Sequence, residues 1–119
     1  MGGGLLGEAE LARHIVDLLA EKQAEDVLLL DISQLTTFTD YFVIASVVNV
    51  RQMQALMEAL DEALTREGHG PTRSEGDIDS GWVLMDLGDI IVHLLSPEQR
   101  AYYDIERLWS KGTPVVRIQ

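Results

Sequence analysis

Apolar and polar positions along the chain alternate in a way that predicts three helices. Apolar residues recur at helical spacing over residues 8–23 and again after Asn49. The second helix is expected to end at Gly68, and a third begins after Ser96-Pro97. The apolar positions of the three helices are Leu11, Ala12, Ile15, Val16 and Leu19, then Met53, Leu56, Met57, Leu60 and Leu64, then Ala101, Tyr102, Ile105, Leu108 and Trp109.

Four short runs of aliphatic, aromatic and β-branched residues predict strands over 27–30, 41–48, 82–87 and 90–95. The first run is continuously apolar, as in a strand that is buried on both faces. Gly88-Asp89, between the last two runs, is typical of a two-residue hairpin turn. Residues 68–81 contain four glycines and predict a loop or an irregular edge, while 115–118 is either an added edge strand or a loose segment.

Two of the helix starts carry capping signals. Asn49 and Ser96 can accept a hydrogen bond from the backbone, and Gln52 and Gln99, three residues further on, are placed to reach back. The order α-β-β-α-β-β-α predicts one α/β domain over 8–110, with a mixed β-sheet flanked by helices. We expect residues 1–7 to form a flexible N-terminal lead and 111–119 a C-terminal tail.

Length and composition exclude several classes of protein. A chain of 119 residues suits one domain, and the absence of cysteine excludes disulfides, thiolate zinc sites and thiol catalysis. No apolar run approaches the ~18 residues that cross a bilayer. The start of the chain lacks the basic and apolar regions of a signal peptide, so we expect a cytoplasmic protein.

The net charge of −11 restricts the kinds of partner. No lysine or arginine lies between Lys22 and Arg51, or between Arg73 and Arg100. Nucleic-acid binding usually needs a basic stripe, so a nucleic-acid-binding function is disfavoured. The excess of acidic residues indicates either solubility alone or attraction to a basic protein surface.

The candidates for catalysis are few. There is no nucleophile elbow and no phosphate-binding loop. His14 is expected at the surface and His69 in a loop. His93, between Val92 and Leu94 in a strand, is more typical of a core or edge histidine than of a general base.

A metal site is a second candidate. On a strand, Asp89 and His93 would share one side, and Asp86 lies near the same turn. Asp86, Asp89 and His93 therefore support an alternative, a metal-dependent nucleotidyl- or phosphoryl-transfer enzyme. Such a site would also need Gly-Ser at a helix start and a paired Asp-x-Asp on a strand. Here 46–48 contains no glycine, and Asp77-Ile78-Asp79 lies in the predicted loop, so solvated acidic turn residues explain the pattern more simply.

Aromatic residues indicate a protein-binding face as a third candidate. Trp82 follows a glycine-bearing loop, and Tyr102, Tyr103 and Trp109 cluster near the C-terminus. Aromatic side chains dominate the energetics of many interfaces. Trp109 lies on the apolar side of its helix and is expected in the core, while the pattern leaves Trp82 open between core and interface.

Several motifs together resemble the ribosomal silencing factor family (RsfS or Iojap type), and the resemblance covers about residues 8–110. The most specific stretch begins at Trp82 and extends to Trp109. The matching segments are Asp40-Tyr41-Phe42-Val43-Ile44-Ala45, Arg51-Gln52, Glu75-Gly76, Trp82-Val83-Leu84-Met85-Asp86-Leu87-Gly88-Asp89-Ile90-Ile91-Val92-His93, Arg100, Tyr102-Tyr103 and Ile105-Glu106-Arg107-Leu108-Trp109.

The resemblance implies a nucleotidyltransferase-like α/β domain without transferase residues, and hence no catalytic, metal or cofactor site. It implies binding to the large ribosomal subunit through its protein L-fourteen, where the domain would block joining of the small subunit and repress translation under nutrient limitation. It also implies a homodimer in isolation. The partner-binding residues expected from it are Trp82, Met85, Asp86, Leu87 and Asp89.

One position departs from the family pattern. After Ile44-Ala45 the family usually has a small segment with a glycine, and this chain has Val47 in the place of that glycine. Any role that needs a close backbone approach or a positive φ at this position is therefore in doubt. Asn49 can still cap the following helix, so we expect the fold to be kept.

Overall fold

A twisted sheet of six strands carries two long helices on one face and two short helices on the other. The computed structural model describes residues 7–69 and 72–119, so the predicted lead lies outside the described residues except for Gly7, the N-cap of the first helix. The helices are α1 (Glu8–Glu21), α2 (Val50–Arg66), α3 (Pro97–Tyr103) and α4 (Ile105–Leu108), with a 3₁₀ turn at Ile78–Ser80. The strands are β1 (Glu25–Asp31), β2 (Tyr41–Ser46), β3 (Arg73–Asp77), β4 (Trp82–Asp86), β5 (Ile90–Leu95) and β6 (Thr113–Ile118).

The strands lie in the order β3-β4-β5-β2-β1-β6. The central pair, β2 and β5, is parallel, and the other four pairs are antiparallel. The prediction of a mixed α/β sheet flanked by helices is therefore confirmed. Gly88 and Asp89 form the predicted two-residue turn between β4 and β5, with a φ of 92° at Gly88 that suits a residue without a Cβ.

The sheet separates two hydrophobic cores. The larger core lies under α1 and α2, and the smaller one lies under α3 and α4. Because both faces are covered, β5 and the 27–30 segment of β1 are buried at every position, as the continuous apolar run of β1 predicted. Helix α1 directs its apolar positions into the larger core, and α2 does the same except at half-buried Met57.

Three segments differ from the sequence expectation. Residues 73–77, within the predicted loop or irregular edge, form the edge strand β3, whose five residues are all exposed. The predicted third helix is broken at Asp104, which has a left-handed backbone with φ 48° and ψ 54°. Ala101, Tyr102 and Leu108, which the periodicity placed on the apolar face of a single helix, are exposed. The segment set apart as a tail contributes β6, which pairs with β1.

Both predicted caps are present, but the reciprocal bonds are not. Asn49 and Ser96 accept hydrogen bonds from the backbone N–H groups of Gln52 and Gln99, at 2.8 and 3.1 Å. The prediction that each glutamine side chain returns to its cap residue was wrong. Gln52 instead accepts from the Val48 N–H, and Gln99 donates to the carbonyl of Ser80, which attaches the 3₁₀ turn to α3.

Candidate functional site

A continuous row of aromatic rings crosses the sheet face opposite α1 and α2. Neighbouring ring centres are 4.6–6.0 Å apart along the whole row. We call it the aromatic row. In order, its members are Tyr102, Tyr103, Trp82, His93, Phe42, Trp109 and Phe38.

The middle of the aromatic row is buried and its two ends are exposed. His93 and Phe42 belong to the interior, whereas Tyr102 is 79% exposed and Phe38 is 56% exposed. We call the end formed by Tyr102 and Tyr103 the tyrosine end. Leu108 lines a cleft with these two tyrosines, between α3 and α4, and is 77% exposed. Large apolar side chains left in water beside a rigid core are typical of protein interaction sites.

Trp82 connects the exposed tyrosine end to the interior. It is half-buried at the start of β4, its ring lies 4.6 Å from that of Tyr103, and its indole N–H donates to His93 Nδ1 at 3.3 Å. Trp82 therefore packs partly against the smaller core, and its role in an interface stays a prediction. The contact with Tyr103 was missed because the two residues are 21 positions apart in the sequence.

A buried arginine holds α3 and its two tyrosines against the sheet. Arg100 is 9% exposed and donates to the carbonyl of Asp26 at 2.6 Å, to Ser46 Oγ at 2.9 Å and to both carboxylate oxygens of Glu106. Arg117 of β6 forms a two-bond pair with the Asp26 carboxylate, at 2.9 Å for each bond. These bonds, aided by the nearby charge of Arg100, lower the pKa of Asp26.

The structure does not bring all five predicted partner-binding residues together. Trp82 and Asp86 lie on the same sheet face as the aromatic row, but they stand at opposite ends of β4, roughly 13 Å apart along the strand. Leu87 and Asp89 are in the hairpin turn, half-buried and exposed respectively. Met85 is 2% exposed and belongs to the larger core on the other face.

The ligand set of the alternative enzyme hypothesis is not assembled. Asp86 accepts from the Gly88 N–H within its own turn, and His93 is enclosed among aromatic rings. Asp77 and Asp79 form the remaining candidate pair. The Asp77 carboxylate caps the 3₁₀ turn by accepting a 3.0 Å hydrogen bond from the Asp79 N–H.

Within residues 7–69 and 72–119, one group of carboxylates is close enough to share a cation. Its ligand oxygens, from Glu8, Asp40 and Asp89, lie within 4.8 Å of one another. Hydrogen bonding to Asp40, partial burial and the charges of Asp40 and Asp89 raise the pKa of Glu8 to about 7. The group therefore favours sharing a proton near neutral pH, and it includes neither Asp86 nor His93.

A cleft of about 330 Å³ lies at the carboxyl ends of the parallel strands β2 and β5, where α/β folds often bind ligands. Val47 fills its floor, is 1% exposed and donates its N–H to Leu95 at 2.8 Å. Its backbone φ is not positive, so the valine that departs from the expected family pattern is accommodated without strain. Apolar Val48 and Val50 and acidic Asp79 and Glu98 line the opening.

The candidate site is thus an exposed group of aromatic and apolar side chains on a mixed sheet, which is typical of proteins that act through an interaction surface. Comparison with known proteins identifies the family. A family model described as "Ribosomal silencing factor during starvation" matches residues 7–119. The chain belongs to this family, RsfS, whose members are ribosome-associated regulators of translation.

Individual relatives support the assignment. The chain is 32% identical over 114 residues to the ribosomal silencing factor RsfS of Halalkalibacterium halodurans, covering 96% of this chain and 97% of that protein. It is 30% identical over 99 residues to the mouse protein named mitochondrial assembly of ribosomal large subunit protein 1, of which it covers 43%. A crystal structure from Chromobacterium violaceum superposes with a TM-score of 0.83 at 32% identity, covering 96% and 95% of the two chains.

Proposed function

We propose that this protein binds the large ribosomal subunit through protein L-fourteen, in the cytoplasm, and blocks joining of the small subunit. In this proposal it acts by occupying a surface and catalyses no reaction, and it is a homodimer when free. Family membership supports a role in translation, and the name of the mouse relative refers to assembly of the large subunit. The observation that carries the proposal is the exposed tyrosine end of the aromatic row.

The tyrosine end has the composition of a binding hot spot. Tyr102, Tyr103 and Trp82 form an exposed aromatic group on a rigid support, and such groups contribute most of the binding energy in many interfaces. The net charge of −11 favours a basic protein and opposes contact with the phosphates of ribosomal RNA. Asp86, Leu87 and Asp89 are at least partly exposed at the far end of the hairpin and extend the proposed contact, while Met85 lies in the larger core on the other face of the sheet.

Cosedimentation with purified large subunits tests the proposal. Tyr102→Ala is the cleanest variant because its side chain is mostly in solvent, so its removal leaves the fold intact. We expect Tyr102→Ala and Trp82→Ala to weaken binding by about tenfold or more, as truncation of interface aromatics usually does. Ile118→Ala, on the opposite edge of the sheet, is the matched control and should bind normally.

The same preparation tests the mechanism. Wild-type protein added to large subunits before small subunits should reduce the yield of joined ribosomes on a sucrose gradient, and Tyr102→Ala should restore it. Folded Trp82→Ala and Tyr102→Ala variants that cosediment like the wild type would exclude the tyrosine end as the contact. Joined ribosomes that form at full yield despite bound protein would exclude the blocking mechanism.

A further inference from the structure

His93 has an unusual place in the aromatic row. It lies on β5 opposite Leu84, is 5% exposed, and its ring meets that of Phe42 edge-to-face at 4.6 Å. On its other side, Nδ1 accepts the indole N–H of Trp82 at 3.3 Å. This is a directional contact, whereas the contact of Trp82 with Tyr103 is a tilted ring packing that tolerates rotation.

The protonation of His93 follows from this contact. Because Nδ1 accepts a hydrogen bond, the proton of the neutral ring lies on Nε2. Burial lowers the pKa of His93 to about 4, so the ring stays neutral at physiological pH and Nδ1 remains available.

The burial of His93 is unfavourable at its second ring nitrogen. Nε2 is buried and has no hydrogen-bond partner among the described residues, which a purely apolar side chain would avoid. What the imidazole adds over a leucine at this position is an acceptor directed at Trp82. Packing alone would not require a histidine here.

The geometry points to His93 as a positioning residue that fixes the orientation of the Trp82 indole and so presets the tyrosine end for its partner. This inference rests on the proposed function in its second part, the effect on binding. Its first part, the orientation of Trp82, concerns the free protein alone. A preset side chain loses less conformational entropy on binding, which improves affinity without adding a contact.

The indole N–H signals of the two tryptophans in a ¹H–¹⁵N NMR spectrum test the first part, with Trp82→Phe assigning the signal of Trp82. His93→Leu removes the acceptor, so we expect this signal to shift and its hydrogen exchange to accelerate. His93→Asn retains an oxygen acceptor near the Nδ1 position and should preserve both properties. Phe42→Leu is the matched control, since it removes the ring on the other side of the imidazole and should leave the indole signal protected.

Cosedimentation with large subunits tests the second part. We expect His93→Leu to weaken binding roughly fivefold, as the cost of ordering one freed side chain on binding implies, and His93→Asn to restore it. Equal losses in His93→Leu and Phe42→Leu would show general loosening of the core and overturn the inference. An indole signal that is unchanged in His93→Leu would overturn it as well.

The two proposals fail in different ways. Normal binding by Trp82→Ala would refute the proposed ribosome contact, while the NMR signals would still decide whether His93 orients the indole. Weak binding by Trp82→Ala together with normal binding by His93→Leu would leave the contact standing and overturn the positioning role.

Discussion

Replacing Arg100 with methionine should destabilise the protein more than any other single change in its ionic network. Methionine has a similar length but no donors, so Ser46 Oγ, the carbonyl of Asp26 and the carboxylate of Glu106 all lose their bonds to Arg100. Removing one partner of a buried ion pair costs about 3–5 kcal/mol, because the opposite charge is left behind without compensation. The total free energy of unfolding of a typical domain is only about 5–15 kcal/mol.

Urea unfolding followed by circular dichroism measures this effect directly. Arg117→Met is the matched control. Its guanidinium also pairs with Asp26, but the side chain is 43% exposed, so we expect a loss of about 1 kcal/mol or less. Adding Glu106→Leu to Arg100→Met should recover part of the stability, because the half-buried Glu106 carboxylate would otherwise keep only its 3.7 Å contact with Arg117. A loss below about 1 kcal/mol for Arg100→Met would refute the reasoning.

Two further predictions concern pH and backbone strain. Between pH 6.5 and about 4 His93 is protonated in the unfolded chain but not in the folded chain. Acidification through this window should therefore lower the free energy of unfolding of the wild type by about 3 kcal/mol relative to His93→Asn. Identical pH profiles of the two proteins would contradict this. In Gly76→Ala the new Cβ would clash with the Trp82 carbonyl oxygen at a φ of +96°, and urea unfolding should show a loss of about 1–3 kcal/mol. Gly88→Ala, also at positive φ but with open space around it, is its control and should lose less.

Hydrophobic periodicity predicted the elements that pack with a regular apolar face. Helices α1 and α2, the buried run of β1 and the β4–β5 hairpin all follow from local patterns that the tertiary structure reinforces. Strand β3 was missed because none of its residues is buried, so no alternation marks it. The break at Asp104 was missed because an aspartate in a left-handed conformation has no local signal that separates it from an ordinary helical aspartate.

The candidate site was predicted only in part. The sequence identified Trp82, Tyr102 and Tyr103 as candidate anchors, but it could not show that Trp82 and Tyr103 are in contact, since that depends on where α3 lies. Met85 faces the larger core while Trp82 does not. Strand periodicity places residues separated by an odd number of positions on opposite faces, and this rule could have separated the two.

The pairing of β6 with β1 has a consequence for how the molecule is made. Residue 27 is matched with residue 118, so nearly the whole chain separates the two partners. During synthesis β1 emerges early. Until residues 113–118 have been translated, one edge of β1 keeps unpaired backbone N–H and C=O groups that can pair with other chains. We therefore expect a nascent chain halted before that point to lack its outermost strand and to aggregate readily. The sheet therefore reaches its full width only after the ribosome has completed the strand that lies farthest along the chain.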